Sequence, residues 1–299
     1  MGTLLDITLY APSEREGRAT LNETFAIAEH LDDVLSTWKS ESAVSVFNAK
    51  ETTAPQPVSP ELYELVKEGK KLSKQTAEAF SITVRPLITL WHSAQKQNRP
   101  PLPHEIKTLL PMLTSDSVTL GGHGTIAKQH PLAAVETGGI GKGYAVDKML
   151  AYLRERGIKS AFINFGRSSM GCVGSPPNTS GWPVQLELTL GSIAGRLMLR
   201  DETLTVSRAH GTPIVIDGKL YAHIFDPATG LPIEASQGAA VRTAQATDGE
   251  ALVKYLVIRG VPTQNILAKW PELEWMVRQD ASTHVSDGFK LLDNNRSNL

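Results

Sequence analysis

Residues 3–10 alternate apolar and polar positions, which predicts an opening strand. Leu21, Phe25, Ala28, Leu31 and Leu35 then recur at helical spacing, predicting an amphipathic helix over residues 19–38. Residues 36–48 show neither period and read as irregular. Ser59-Pro60-Glu61 starts a second helix, with Ser59 as N-cap, Pro60 in the first turn and a stripe of Leu62, Leu65, Val66 and Leu72. Residues 76–91 are apolar with few breaks, residues 97–103 form a proline-rich loop, and residues 117–128 predict a hairpin around Gly121-Gly122-His123-Gly124. Ile140, Tyr144, Met149, Leu150 and Leu153 mark another helix, ending near Arg156.

The second half is strand-like. Strands are expected at 161–165, 184–190, 196–199 and 204–207, and Asp217-Gly218 sets a hairpin turn within residues 214–221. Thr247-Asp-Gly-Glu250 has the spacing of a capping box and opens a last helix, which runs to about Arg259 before Gly260. Residues 274–278 and 288–292 predict a final hairpin. Residues 1–292 form one domain, or two closely packed subdomains, and residues 293–299 a loose tail. Helices mixed with mainly antiparallel strands predict the α+β class rather than a doubly wound sheet.

Composition narrows the function classes. Net charge is −1 over 299 residues, which leaves no basic footprint for nucleic acid. A single cysteine excludes an intramolecular disulfide and a multi-cysteine metal site. No run of about 18 apolar residues predicts a membrane span. The start, Met-Gly-Thr-Leu-Leu-Asp, lacks a basic and an apolar signal region, so the expectation is a cytosolic protein or one whose signal segment has been removed.

Candidate chemistry begins at Glu136-Thr-Gly-Gly-Ile-Gly-Lys-Gly-Tyr-Ala-Val-Asp147. Glycines at 138, 139, 141 and 143 let a ligand approach the backbone, and Lys142 adds charge where a helix begins, an arrangement suited to phosphate or pyrophosphate. The P-loop pattern fails, because Glu136 and Gly143 stand where glycine and Ser or Thr are needed; the dinucleotide fingerprint fails at Tyr144. A glycine-rich helix entry with a solvated lysine is the plainer alternative. His223, three residues before Asp226, offers a base with an orienting acceptor, while Asp226 equally suits bracing of the Pro-Ala-Thr-Gly turn that follows. Asp248 is a metal ligand or a partner of the helix dipole, and Glu250 reads as a cap. The remaining lysines and arginines read as a solvated surface.

Five segments in order resemble the ApbE family, flavin transferases that cut FAD and attach FMN to a threonine of a partner protein. They are Ser42…Asn48; Phe80-Ser-Ile-Thr-Val-Arg-Pro-Leu…Leu-Trp91; Glu136…Asp147; Asp217-Gly-Lys…His-Ile-Phe-Asp-Pro-Ala-Thr-Gly-Leu-Pro232; and the helix start at Asp248. The resemblance implies FAD as substrate, Mg2+, release of AMP and an external acceptor protein, since this chain lacks the acceptor consensus. It implies flavin-nucleotide contacts at Asn48, Thr83, Glu136, Gly139, Lys142, Gly143, Tyr144, Ser207 and His223. Catalysis falls to His223, Lys142 and Asp226. The metal takes the main chain of Gly141, the carboxylate of Asp248 and a hydroxyl four residues on. It also implies a bacterial cell-envelope location.

Several polar positions depart from the family's pattern. Leu252 stands where the ligand hydroxyl is expected, so the metal site is weakened. Ala43, Ser81, Glu136 and Thr137 replace other residues, and Val206-Ser-Arg-Ala-His210 replaces a Thr-Ser-Gly-Asp-Tyr segment. Arg167 and Arg208 put long cations where glycine is expected, able to fill the nucleotide pocket or to bind its phosphates. The resulting expectation is an FAD:protein FMN transferase. The alternatives are a non-catalytic flavin-binding protein, an FAD pyrophosphatase, or a scaffold that binds no nucleotide.

Overall fold

Seven antiparallel strands, neighbours in sequence order, make the central sheet of the computed structural model: β1 Leu5–Leu9, β2 Ala161–Phe165, β3 Ser169–Val173, β4 Thr203–Arg208, β5 Gly238–Thr243, β6 Glu274–Gln279 and β7 Ser282–Val285. The structure describes residues 2–189, 192–209, 211, 213–234, 236–279 and 282–292. Leu190, His210 and the predicted tail 293–299 lie outside the described residues. The helices are α1 Glu14–Leu35, α2 Ala43–Ala49, α3 Pro60–Gln75, α4 Arg85–Lys96, α5 Pro103–Leu109, α6 Gly141–Glu155, α7 Ala246–Arg259 and α8 Gln264–Lys269.

Both faces of the sheet are covered. On one, α6 packs on β2 and β3, α7 packs on β4 and β5, and α1 lies over α6. On the other, the two-stranded ribbon Trp182–Thr189/Ser192–Leu199 buries Val184, Leu186 and Leu197 against Met170, Leu204, Val206 and Ala240. The period of two in β4 therefore divides its side chains. Thr203, Thr205 and Ser207 face the helices; Leu204, Val206 and Arg208 face the ribbon.

Several expectations change. Residues 43–49 are helical rather than irregular: the Ser42 hydroxyl accepts from Ser45 N at 3.1 Å and caps α2. Strand β3 carries no alternation because all five of its residues are buried. Met276–Gln279 pair with Ser282–Val285, so residues 288–292 are not the hairpin partner. The predicted capping box is absent. Gln245 precedes α7, and Asp147 of α6 caps it instead, accepting from Ala246 N and Thr247 N, both at 2.8 Å. Those two bonds tie the middle of α6 to the start of α7. Gly143 permits the approach, since a Cβ there would stand 2.4 Å from the Ala246 carbonyl oxygen.

Candidate functional site

The glycine-rich turn before α6 is strapped from several sides. Glu136 takes the amide of Gly138 at 2.7 Å on one carboxylate oxygen and Arg85 at 3.0 Å on the other. The Thr137 hydroxyl donates to the Leu35 carbonyl, and Asn48 pairs with both backbone groups of Val135 at 2.8 Å. Thr83 is fully buried and donates to the Thr114 carbonyl at 2.8 Å. Asn48 and Glu136 thus hold the turn from behind, and the polar atoms of all three, Thr83 included, are committed to protein. Gly139 lies beside the Phe80 ring, and Gly143 meets α7 rather than open space. The Tyr144 hydroxyl donates to Glu64 of α3 at 2.8 Å, away from Lys142. Burial, then Glu64, raises its pKa.

Lys142, in the first turn of α6, faces α7. Its ammonium stands 3.8 Å from Glu250 Oε1, an ion-pair distance too long for a hydrogen bond. Glu250 is 1% exposed; it accepts from the Ser169 hydroxyl at 2.5 Å and from Lys254 Nζ at 2.6 Å. Burial works against the Glu250 charge, but Lys254 and Lys142 outweigh it and hold its carboxyl below the usual glutamate range. Burial lowers the Lys254 pKa, opposed by Glu250. One buried carboxylate thus serves two ammonium groups.

His223 completes the group. It follows the hairpin Ile214–Ile216/Lys219–Tyr221, whose Ile214 and Ile216 pack with Phe225 against Leu87 and Trp91 of α4; Trp91 Nε1 donates to the Gly230 carbonyl at 3.0 Å. The imidazole is open to solvent on one side and lies against Gly211, where a Cβ would come within 2.7 Å of its Cε1. Burial first, then the positive charges of Lys254 and Lys142, lower its pKa, while a bond to the Ala209 backbone pulls the other way. These influences favour the neutral imidazole, the form that can accept a proton. Ser207, two residues before Ala209, lies on the same helix-facing side of β4 as Thr205.

Asp226 does not orient His223. Asp226 instead accepts from Ala228 N at 2.9 Å and from Arg259 at 2.6 and 2.9 Å, tying the turn to the end of α7. Arg208 also leaves the site. It faces the ribbon and pairs with Glu187 at 3.2 Å. Arg167 sits exposed in the β2–β3 turn with φ +54°, its amide donating to Asn164 Oδ1.

The predicted metal ligands separate. Residues two apart on a helix point about 200° apart, so Asp248 and Glu250 cannot face the same way. Asp248 turns toward α3 and α8: Trp270 Nε1 donates to it at 3.3 Å, and Lys71 and Glu68 are its charged neighbours. Leu252 is buried among Val253, Leu256 and Val277. The carboxylate that α7 presents to Lys142 and Gly143 is Glu250, and the residue four positions later is Lys254. A lysine has donors and no lone pair for a cation. A unit positive charge 4 Å away at an effective dielectric of 20 costs about 4 kcal/mol, and a divalent ion twice that. Among the described residues no group of three or more His, Cys, Asp or Glu could hold a metal. These residues do not fit the magnesium that the resemblance implies.

Sequence reasoning missed Ser169, Glu250 and Lys254 as site residues. One signal was available: Lys254 is the only charge within the run Ala251-Leu-Val-Lys-Tyr-Leu-Val-Ile258. A cation so placed is not part of a solvated face.

Comparisons place this geometry among known proteins. An FAD:protein FMN transferase from Vibrio cholerae is 28% identical over 242 residues, covering 78% of this chain and 71% of the other. The solved flavin transferase ApbE from Vibrio cholerae superimposes with a TM-score of 0.82 at 24% identity, over 98% of this chain and 96% of that one. The ApbE protein from Thermotoga maritima gives 0.86 at 21%, over 96% and 95%. The model of the ApbE family matches residues 1–277, and this chain belongs to that family.

Proposed function

We propose that the protein is an FAD:protein FMN transferase, moving FMN from FAD to a hydroxyl side chain, threonine by resemblance, of a partner protein. The observation that carries this reading is the Lys142–Glu250–Lys254 cluster at the glycine turn, with His223 exposed to solvent and held toward its neutral form by burial and by both lysines. Phosphoryl transfer gains most from charge neutralisation and from positioning of a poor nucleophile. The ammonium groups supply charge next to the diphosphate, and the imidazole accepts the hydroxyl proton. The acceptor oxygen bonds to the FMN phosphorus, the diphosphate P–O bond breaks, and AMP leaves with the bridging oxygen. The His223 proton then passes to solvent.

Membership of a family with relatives named FAD:protein FMN transferase supports the substrate class. Among the described residues no helix is long and apolar enough to cross a membrane, and we place the work of the protein in the cell envelope on the resemblance alone. Chromatography of FAD incubated with the protein and a peptide carrying the family's acceptor consensus tests the reading. AMP together with flavin-labelled peptide is the expected result. AMP without labelling would make it a pyrophosphatase, and unchanged FAD with a competent acceptor would leave a binding protein.

A further inference from the structure

Lys254 occupies a position whose chemistry is the reverse of a metal ligand's. It is carried one helical turn after Glu250, on the side of α7 that meets Ser169 and Lys142. Its ammonium has three donors. Among the described residues Glu250 is the acceptor found for it, at 2.6 Å, which leaves donors for an incoming anion. Lys142 stands 3.8 Å from the same carboxylate, beyond hydrogen-bond distance, and among the described residues no hydrogen-bond acceptor is found for it. The first turn of α6 holds no acidic residue to compensate its dipole or Lys142. Two cations sharing one buried carboxylate leave the cluster with a net positive charge, at the place where the glycine turn brings a ligand.

We propose that Lys254 is the built-in cation of this site, binding the diphosphate of FAD together with Lys142, so that nucleotide binding needs no divalent metal. The inference rests on the transferase reading for the identity of the nucleotide. Glu250 acts as a positioning residue: it holds Lys254 in place and, through Ser169, is fixed to β3. An ammonium four residues after a carboxylate takes over the charge that a metal bound at those two positions would otherwise supply.

The test is equilibrium binding of FAD, read by flavin fluorescence and checked by dialysis, in EDTA and in millimolar magnesium. Wild-type protein should bind equally, within about twofold, in both. Lys254→Met alone strands a buried carboxylate, so the charge-balanced pair Glu250→Gln/Lys254→Met is the informative variant, with a thermal melt confirming that it folds. Losing charge-assisted hydrogen bonds to the diphosphate should weaken its FAD binding about ten- to a hundredfold in either buffer. Glu250→Asp/Lys254→Thr, which puts two oxygen donors one turn apart, should bind FAD weakly in EDTA and recover in magnesium. Wild-type binding that collapses in EDTA and returns with magnesium would overturn the inference and leave the transferase reading standing. So would a charge-balanced pair that binds as tightly as wild type. A wild type that binds no FAD in either buffer would remove the transferase reading and this inference with it.

Discussion

Asp248 and Glu250 are two carboxylates two residues apart on one helix, and their surroundings push them in opposite directions. Asp248 is half-buried against Trp270, and burial raises its pKa. Glu250 is more deeply buried, yet its carboxyl is held down, because Lys254 and Lys142 stand beside it. Depth alone does not decide the charge of a side chain; the partners at that depth do. The comparison also separates two roles that sequence had exchanged. Asp248, expected at a metal, faces a tryptophan; Glu250, expected at a helix cap, is at the centre of the site.

Removing Glu250 should therefore give the largest effect. Glu250→Ala leaves two lysines facing each other without their shared counter-ion, and breaking a buried pair from one side costs about 3–5 kcal/mol. Denaturant unfolding at neutral pH measures it. The pH dependence has a definite sign. A carboxyl held down in the folded state contributes stability that is present above its unfolded pKa and lost as pH falls through the folded value. The gap between wild type and Glu250→Gln should thus narrow on acidification. A gap that widens would mean the carboxyl is not held down.

His223→Ala should leave stability nearly unchanged and reduce transfer by about 10²- to 10⁴-fold, the usual contribution of a positioned base. Its lowered pKa makes a further claim. The acid limb of the rate profile should lie below the ordinary histidine pKa of about 6.5, because the neutral imidazole persists to lower pH. A limb above that value would mean the lysines do not face the ring.

Gly143→Ala probes the junction that brings the two helices together. The new Cβ would meet the Ala246 carbonyl oxygen at 2.4 Å and Glu250 Cγ at 2.8 Å, so α6 and α7 must separate. Overpacking of this kind costs about 1–3 kcal/mol. Lys142 would move away from Glu250 as the helices part, so FAD binding should weaken alongside the melting temperature. A stable variant with unchanged binding would show that the helix starts need not touch.

Legibility followed how one-sided each element is. Helix α3 was readable because Ser59 and Pro60 mark its start and its apolar stripe has polar flanks. Strand β3 and helix α7 are buried on nearly every side, so their patterns carry no direction. That is why Ser169 goes unnoticed, while Asp248 is aimed at the site by the resemblance and not by any direction in the pattern of α7. The glycine turn, Lys142 and His223 were visible as chemistry, because their residue types suit anion binding and proton transfer even where a structural reading stays open. Asn48, Thr83 and Tyr144 were visible only as motif positions, and each spends its polar atoms on protein.

Asp248→Asn is the mildest change and separates the two carboxylates most cleanly. A carboxyl whose folded pKa is raised opposes folding at high pH, and that penalty sets in as pH rises through the unfolded value and is complete above the folded one. The neutral amide escapes it while keeping an acceptor for Trp270 Nε1. Asp248→Asn should therefore be as stable as wild type or slightly more so at neutral pH, with the difference vanishing below about pH 4, the ordinary aspartate range. FAD binding and transfer should stay within about twofold, since surface-side changes away from a site rarely exceed 0.5 kcal/mol. A loss of transfer with intact folding would return Asp248 to the catalytic centre. It would require α7 to turn by about 200° from the face it presents, and Lys254 would leave the site with it.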